Sequence, residues 1–573
     1  MATQVSEVVV PGTLHLYQDH GTASADSYSG SIVLQPQPST DPEDPLNWTR
    51  ARKLRCIGCV YLYSVMLGIA ACVQYSCLLP ISLDTGITFN KLNLGTGLMF
   101  LFMGWGCLIW QPIAHNYGRR GAYILSTLGM IGPMVWTAYT SSASVWLAHR
   151  ALLGLFICPV ETLCEVSVSD LFFAHERGTY MAIYVFSLAG SNFLAPFFAG
   201  FVEDRWDWHA VIWFGVACLV FATVFNFFFM EDTTYFRHTV ESDSRNVGQS
   251  EKVVVVVNTE HKDVTGGNTC NQGGDLDTEK SSAHNLQTAG SNEVCTDRAD
   301  VDIDVGERIS SRPPYIKRLR LFARHKGRAS KTQLVMQMVR AFEILIYFPI
   351  VLWCGLLYGL GASWYAVINA TVSAALGSPP YNFSAKMVGV AYLSPFLGAV
   401  AGAILTGPAS DKIMLYLARR NNGVREPEQR LWMLLVGGVL SMVGLLIWGV
   451  GISRGWHYMI PIFFLSFATF GMMCSGSLSL SYTLDSYKEL ASESMVSIIL
   501  VRNTLGFGFN YAINPWIDAS GFQNTFIAVS ILSLVTSLTF LAFVFGGGKA
   551  LRKLSAKRYW YYVETHAAKG QYR

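Results

Sequence analysis

Charged residues are scarce in this chain. Asp, Glu, Lys and Arg make up 14% of its 573 residues, against roughly 25% in a typical soluble domain. Hydrophobic residues make up 51%, so a soluble protein of this composition would lack the polar side chains that cover a surface. The basic residues lie between apolar runs and are not pooled in one domain, so no nucleic-acid partner is expected.

Motifs for several kinds of chemistry are also missing. No GxxxxGK[ST] phosphate loop occurs, and the sequence GGGK at 546–549 lacks its spacing and its Ser or Thr, so ATP is not expected to bind. HExxH is absent, the histidines are scattered, and the 12 cysteines show no zinc-site spacing. We therefore expect no enzymatic activity, no bound metal and no cofactor. We expect an ion gradient to supply the energy.

Long apolar runs are what the chain has instead. A hydrocarbon core about 30 Å thick is crossed by a helix of about 20 apolar residues, and about twelve runs of that length recur. The predicted spans are 54–80, 93–114, 121–140, 145–168, 178–201, 209–230, 342–363, 385–407, 431–452, 457–482, 494–516 and 522–546. The sequence thus predicts an all-α polytopic membrane protein embedded in a lipid bilayer.

The spans fall into two groups of six. We predict a mostly disordered N-terminal tail (1–53), a six-helix bundle (54–230), a mostly disordered central loop (231–340), a second six-helix bundle (341–546) and a C-terminal tail (547–573). The N-terminal tail lacks the basic-then-apolar pattern of a signal peptide, so the first span is expected to direct insertion. Two halves of this kind indicate a duplicated transporter body that binds substrate between them.

Lysine and arginine predict the orientation, because cytoplasmic loops are enriched in them. The loops after spans two and eight are basic, which places both termini in the cytoplasm, and we expect a plasma-membrane location. With that orientation, four basic residues fall outside: Lys91, Arg205, Lys386 and Arg454. Two glycosylation sequons, at Asn369 and Asn382, then fall in the outer loop after span seven.

Two loops share a motif at the same place in each half. The loop after span two reads QPIAHNYGRRG and contains Gly118, Arg119 and Arg120, and the one after span eight reads GPASDK and contains Gly407 and Asp411. Together they resemble the loop signature of the major facilitator superfamily, which begins Gly-x-x-x-Asp and ends Gly-Arg-Lys. A glycine allows a tight turn at a helix end, and Asp and Arg can bridge neighbouring helices. We interpret these residues as a conformational latch.

Further motifs occur in the order expected of one branch of that superfamily. They are DPEDPLNW at 41–48, RALLG at 150–154, SNFLAPFFAG at 191–200 and YTLDSY at 482–487. The set resembles the fungal twelve-span drug:proton antiporter-like branch, with its polyamine and histidinol permease relatives. The resemblance implies the major facilitator fold, two six-helix halves that give alternating access, a proton gradient as energy source and a monomer.

Span four carries three charged residues on one face. Glu161 follows Arg150 by eleven positions, about three helical turns, and Glu165 lies one turn further. Charges inside a bilayer usually face a cavity or a partner. One hypothesis is that Glu161, with Glu165 and Arg150, binds a cationic group or a proton. The alternative is a buried salt bridge that only holds helices together.

Three polar residues complete the substrate or proton candidates. Gln74 in span one and Asn192 in span five can line the path of a substrate, and Asp485, near the inner end of span ten, can act as a gate or a helix-end contact. The acidic face of span four favours a cationic substrate, although the loss of three glycines from the span-five motif weakens the case for antiport.

Three functions stay open from the sequence. The first is proton-coupled efflux of a drug or secondary metabolite, which is slightly favoured. The second is uptake of organic cations such as polyamines, and the third is a non-transporting nutrient sensor.

Overall fold

The computed structural model describes residues 11–12, 14–15, 44–235, 319–322, 331–421 and 424–568, and the fold and the site are described for these residues. The predicted disorder of the N-terminal tail and of the central loop falls mainly on residues outside these ranges. The six-helix halves belong to one compact unit.

The N-terminal half is built from eight helices. They are α1 Arg50–Cys72, α2 Leu78–Thr85, α3 Phe89–Tyr117, α4 Arg119–Thr137, α5 Ala143–Ile157, α6 Pro159–Leu171, α7 Ala174–Arg205 and α8 Trp208–Phe229. A 3-10 turn, Val73–Ser76, extends α1. We call the side of the bundle on which α1 begins the near side, and the side on which it ends the far side.

The C-terminal half is built from ten helices and shares a small sheet with the N-terminal tail. The helices are α9 Lys331–Tyr347, α10 Pro349–Gly377, α11 Ala385–Ala391, α12 Leu393–Arg420, α13 Met433–Ser453, α14 Met459–Ser486, α15 Ala491–Ser520, α16 Phe522–Leu538, α17 Phe540–Ala542 and α18 Gly548–Ala568. Strand β1, Leu14–His15, pairs antiparallel with β2, Val424–Arg425.

Eleven helical segments of the described chain are long and apolar enough to cross a membrane. The remaining predicted span, 121–140, corresponds to α4, whose two N-terminal arginines lower its mean hydropathy. It lies antiparallel to span four (α5 and α6) along its whole length: Thr137 bonds His149 at one end, 3.1 Å apart, and Tyr123 bonds Ser167 at the other, 2.9 Å apart. With α4 the predicted six-plus-six membrane architecture is confirmed.

The predicted start of span seven is wrong. A helix already begins at Lys331, inside the predicted central loop, and it ends at Tyr347. Phe348 is non-helical (φ −120°, ψ 81°) and Pro349 starts α10, which runs on to Gly377. Proline disfavours a helical residue before it and lacks the N–H that would continue the helix, so the chain breaks here. Span seven therefore lies at 349–377 instead of 342–363.

The predicted loop position of the second motif is also wrong. Gly407 and Asp411 lie within α12, which continues through Pro408 to Arg420. Gly407 thus makes no turn, and the helix ends only at Arg420. Gly118 fits the prediction, because its φ of 104° separates α3 from α4 and only glycine adopts that backbone conformation readily.

The two halves meet on the far side. The backbone N–H of Leu79 donates to Ser373 Oγ at 3.3 Å, and Lys386 pairs with Asp204 at 3.4 Å. Helix α3 also lies directly against α15. A Cβ at Gly104 would stand 2.7 Å from the Cβ of Asn503, so the glycine lets these two helices approach closely, as small residues do in membrane bundles.

Residues beyond the last span are helical and firmly attached, which the sequence did not predict. The chain turns at Gly546 (φ 110°) into α18. Arg552 of α18 is fully buried and binds Glu428 at the start of span nine, while its Nη1 donates to the carbonyl of Pro11 at 2.9 Å. Burial raises the pKa of Tyr487 above its usual range, and its hydroxyl forms a hydrogen bond with Ser555 at 2.7 Å.

Candidate substrate and coupling site

An ion pair joins the two halves. Glu161 lies in the first turn of α6, where Pro159 restarts the helix after α5 has ended at Ile157. Arg502 lies on α15, 341 positions along the chain, and its Nη2 donates to Glu161 Oε2. The side chains of Arg502 and Glu161 are 9% and 8% exposed. The helix break of span four thus presents a buried carboxylate to a buried guanidinium of the other half.

Other groups fix the orientation of this guanidinium. Arg502 Nη1 donates to the Tyr358 hydroxyl at 3.0 Å, and its Nη2 also donates to Asn503 Oδ1 at 3.0 Å. The Tyr358 ring centroid lies 5.0 Å from the guanidinium carbon. Buried charges require such additional hydrogen bonds, because Coulomb attraction alone barely offsets their desolvation. Arg502 is therefore held in one position by spans seven and eleven and by span four.

Glu165 lies one turn after Glu161 on α6 and is half-buried. It interacts electrostatically with both Glu161 and Arg502. Within the described chain no hydrogen bond or ion pair of the Glu165 carboxylate is found, whereas Glu161 has one. The group therefore contains two carboxylates and one guanidinium. If all three are ionised, one negative charge of the group is left unbalanced. A proton or a cationic group can balance it.

Arg150 stands apart from this group, on α5. Its side chain is fully buried and its guanidinium carbon lies 4.4 Å from the centroid of the Trp146 ring. None of its three guanidinium nitrogens has a hydrogen-bond acceptor among the described residues. The predicted single charged face of span four therefore divides into an acidic part, paired with the other half, and a cation without a carboxylate.

The structure places the predicted path residues Gln74 and Asn192 between spans. Asn192 Oδ1 accepts from the Cys72 thiol at 3.3 Å, and its backbone carbonyl accepts from the Tyr365 hydroxyl at 3.3 Å. It thus connects spans one and five with span seven of the other half. Gln74 is fully buried, and neither atom of its amide group has a hydrogen-bond partner in the described part of the chain.

The arginines of the first latch motif bridge neighbouring elements. Arg119 contacts Asp170 at the near-side end of α6, and its backbone N–H donates to Asp232 Oδ1 at 3.1 Å. Arg120 donates to the carbonyls of Phe227, at 2.6 Å, and of Leu319. These two arginines tie the turn after span two to span four and to the segment after span six.

The second motif forms a matching network, and it includes Asp485. Arg430 donates to Asp411 Oδ1 at 2.7 Å and lies 3.3 Å from Asp485 Oδ2. Arg425 lies 3.9 Å from the same carboxylate. Asp485 is the penultimate residue of α14 on the near side, so the structure groups it with the latch and not with Glu161. Its contacts lie at a helix end, and its predicted role as a gate or a helix-end contact stays a prediction.

The two sequons differ in accessibility. Asn369 is 1% exposed and lies inside α10, so the prediction that it is a glycosylation acceptor is wrong. Its misassignment results from the misplaced start of span seven. Asn382 is exposed in the connection between α10 and α11, and it stays a candidate acceptor.

Sequence reasoning missed several residues of the site and of the latch. They are Arg502, which pairs with Glu161, and Asp170 and Arg430 in the two latches. Arg502 did give a signal, because it is a charge within an apolar span. Nothing local in the sequence indicated which carboxylate it would meet.

Comparisons with known proteins agree with this architecture. Residues 60–510 match the profile of the Major Facilitator Superfamily. An uncharacterised MFS-type transporter of Schizosaccharomyces pombe is 30% identical over 97% of this chain and 95% of its own length, and Protein HOL1 of Saccharomyces cerevisiae is 28% identical over 98% of both. The partially occluded inward-open structure of the xylose transporter XylE from E. coli shares the fold, with a TM-score of 0.54 at 10% identity, over 86% of this chain and 98% of that one. The chain therefore belongs to the major facilitator superfamily and is a transporter of the fungal type.

Proposed function

We propose that this chain is a proton-coupled secondary transporter of small organic molecules, working as a monomer by alternating access. The observation that carries the proposal is the buried ion pair between Glu161 of one half and Arg502 of the other. A bond between the halves holds one conformation. A proton or substrate that competes for Glu161 weakens that bond and shifts the population towards the other conformation, because it interacts differently with the two states.

Glu165 supplies the second part of the mechanism. Two carboxylates share one guanidinium, so a single added positive charge balances the group. A proton at either carboxylate, or the ammonium group of a substrate, can supply that charge, and the two then exclude each other. Such competition is how a carboxylate couples the movement of a proton to the movement of a cationic molecule.

The near side is assigned to the cytoplasm in this proposal, with both termini there and the protein in the plasma membrane. The basic residues around the two latches support this orientation. Efflux of a drug or secondary metabolite is the favoured direction. Uptake of organic cations such as polyamines is the second candidate, and the excess carboxylate at Glu165 favours it. The buried charge pair between the halves disfavours a non-transporting sensor, which has no need of it.

Proteoliposomes test the proposal. The full-length protein is reconstituted with a pH-sensitive dye inside, and a panel of organic cations and metabolites is added outside. We expect at least one compound to drive proton movement in the wild type, and Glu165→Gln to reduce that movement at least tenfold while the compound still binds. Glu564→Gln, an exposed carboxylate of α18, serves as the matched control and should behave as wild type.

Two results would count against the proposal. Normal proton coupling in both Glu161→Gln and Glu165→Gln would remove these residues from the mechanism. If no compound of the panel moves across the membrane although the protein binds some of them, the sensor becomes the better explanation.

A further inference from the structure

Arg150 is a buried cation for which the described residues provide no counter-ion. It is fully buried, its three guanidinium nitrogens lack acceptors, and no carboxylate of the described residues forms an ion pair with it. More than nine in ten buried polar groups in proteins have a hydrogen-bond partner. Three unpaired nitrogens on one charged group are a large departure from that rule.

The surroundings of Arg150 do not remove its need for an anion. The Trp146 ring offers a cation–π contact on one face, at 4.4 Å, but an aromatic ring accepts no hydrogen bond in the plane of the guanidinium. Tyr75 and Cys72 lie within electrostatic range, and neither is ordinarily ionised at neutral pH. The burial of an unpaired ion is among the most costly arrangements in a protein.

Gly95 of span two lets the side chains of Trp146 and Arg150 pack closely against α3. Gly95 packs against both side chains: a Cβ there would lie 2.4 Å from Trp146 Nε1 and 3.3 Å from Arg150 Cγ. Gln74, next to Tyr75 in the chain, adds an unpaired buried amide in the same turn of span one. The buried donors of Arg150 and of Gln74 therefore both lack partners among the described residues.

We propose that Arg150 forms a binding site for a small anion, distinct from the acidic group at Glu161. A guanidinium presents a planar fork of donors that suits a carboxylate best and also binds a halide. The anion is either the carboxylate of an organic substrate or an inorganic ion that accompanies it. About 16 Å of helix separates Arg150 from Glu161, so the anion at Arg150 and the cation at Glu165 do not compete for the same place.

The inference deepens the proposed function but is tested independently of it, by stability instead of transport. The purified full-length protein is unfolded by heat in potassium chloride, potassium acetate and the potassium salt of the bulky sulfonate MES, at equal ionic strength. In the wild type we expect chloride or acetate to raise the unfolding temperature by about 2 °C over MES, as ligand binding to the folded state does. Arg150→Gln should abolish that rise.

Two control variants make the result interpretable. Arg454→Gln removes an exposed arginine and should keep the full response, which excludes general surface binding. Arg150→Lys keeps the charge but loses the fork, so the anion concentration for half the effect should rise several-fold. If Arg150→Gln does not fold, the test rests on Arg150→Lys. A half-effect anion concentration of Arg150→Lys equal to that of the wild type then overturns the proposal.

Comparison of the two anions shows which kind of ligand the site binds. A response to acetate at lower concentration than chloride assigns the site to a carboxylate of an organic molecule, and the reverse order assigns it to an inorganic ion. The proposal fails if neither anion stabilises the wild type, or if Arg150→Gln responds as the wild type does. Neither failure affects the coupling role of Glu165, which the proton-movement assay measures.

Discussion

The carboxylate of Glu428 accepts hydrogen bonds from both Nε and Nη2 of Arg552, at 2.9 and 2.8 Å. The pair is buried, with 4% exposure of Glu428 and none of Arg552, and the Tyr482 hydroxyl donates to the same carboxylate at 3.2 Å. The pair therefore attaches α18 to the start of span nine, which carries Glu428, and to span ten, which carries Tyr482.

Removing one partner of this pair should destabilise the protein strongly. Arg552→Ala leaves Glu428 buried without its cation, a change that costs about 3–5 kcal/mol in comparable sites. We expect the unfolding temperature of the purified protein to fall by roughly 2–4 °C. Lys553→Ala, which removes an exposed side chain from the next position of α18, should change it by less than about 1 °C. Equal effects of the two variants would contradict the structural role of the pair.

Exchanging the charges of Glu161 and Arg502 separates stability from coupling. Each single variant, Glu161→Arg or Arg502→Glu, should unfold at lower temperature because it places two like charges together. The double variant restores an ion pair, and a double-mutant cycle should yield a coupling free energy of about 1–3 kcal/mol. Proton movement should stay impaired in the double variant, because the carboxylate has moved from span four to span eleven. Full recovery of proton movement would indicate a purely structural bridge.

The latch of the C-terminal half should affect the rate of transport and not the affinity for substrate. Arg430→Gln disconnects Asp411 on span eight from Asp485 on span ten, so we expect turnover to fall about tenfold with the Michaelis constant nearly unchanged, as for a group that acts on conformational exchange. Initial rates in proteoliposomes over a range of substrate concentrations measure both quantities. Arg419→Gln, exposed on the same helix as Asp411, is the control. A change confined to the Michaelis constant would instead place Arg430 in substrate binding.

Glycosylation distinguishes the two sequons and reports the orientation. We expect the protein expressed in yeast to lose its sensitivity to an endoglycosidase in Asn382→Gln, while Asn369→Gln leaves the gel shift unchanged, because Asn369 is buried inside α10. Modification requires a lumenal or extracellular location. A gel shift that depends on Asn369 would mean that span seven is placed wrongly, and the absence of any shift in the wild type would leave the far-side assignment without this support.

The sequence predicted what is local and missed what depends on tertiary contacts. The apolar lengths indicated the spans, and a carboxylate in an apolar run identified Glu161 as unusual. Its partner Arg502 lies 341 positions away, and only the packing of the two halves against each other brings the two together. A single sequence does not indicate which residue so far along the chain a side chain will contact.

Two errors arose from ambiguous local patterns. An apolar run that crosses Pro349 looks continuous, yet proline geometry breaks it into α9 and α10. The glycine of the second motif suggested a turn by analogy with Gly118, but the helix continues past Gly407 for about three more turns, to Arg420. Whether a glycine ends a helix depends on the residues after it, and those after Gly407 form a basic helical segment.

The hydrogen bond from Arg552 to the carbonyl of Pro11 and the pairing of β1 with β2 have a consequence for fragment complementation. If the chain is cut within the central loop and the two pieces are produced together, the first piece carries a strand and an acceptor that complete the second. Reassembly then has a recognition element outside the bilayer, in addition to the helix contacts within it. A first piece that begins after residue 15 would lack this element and should reassemble less efficiently.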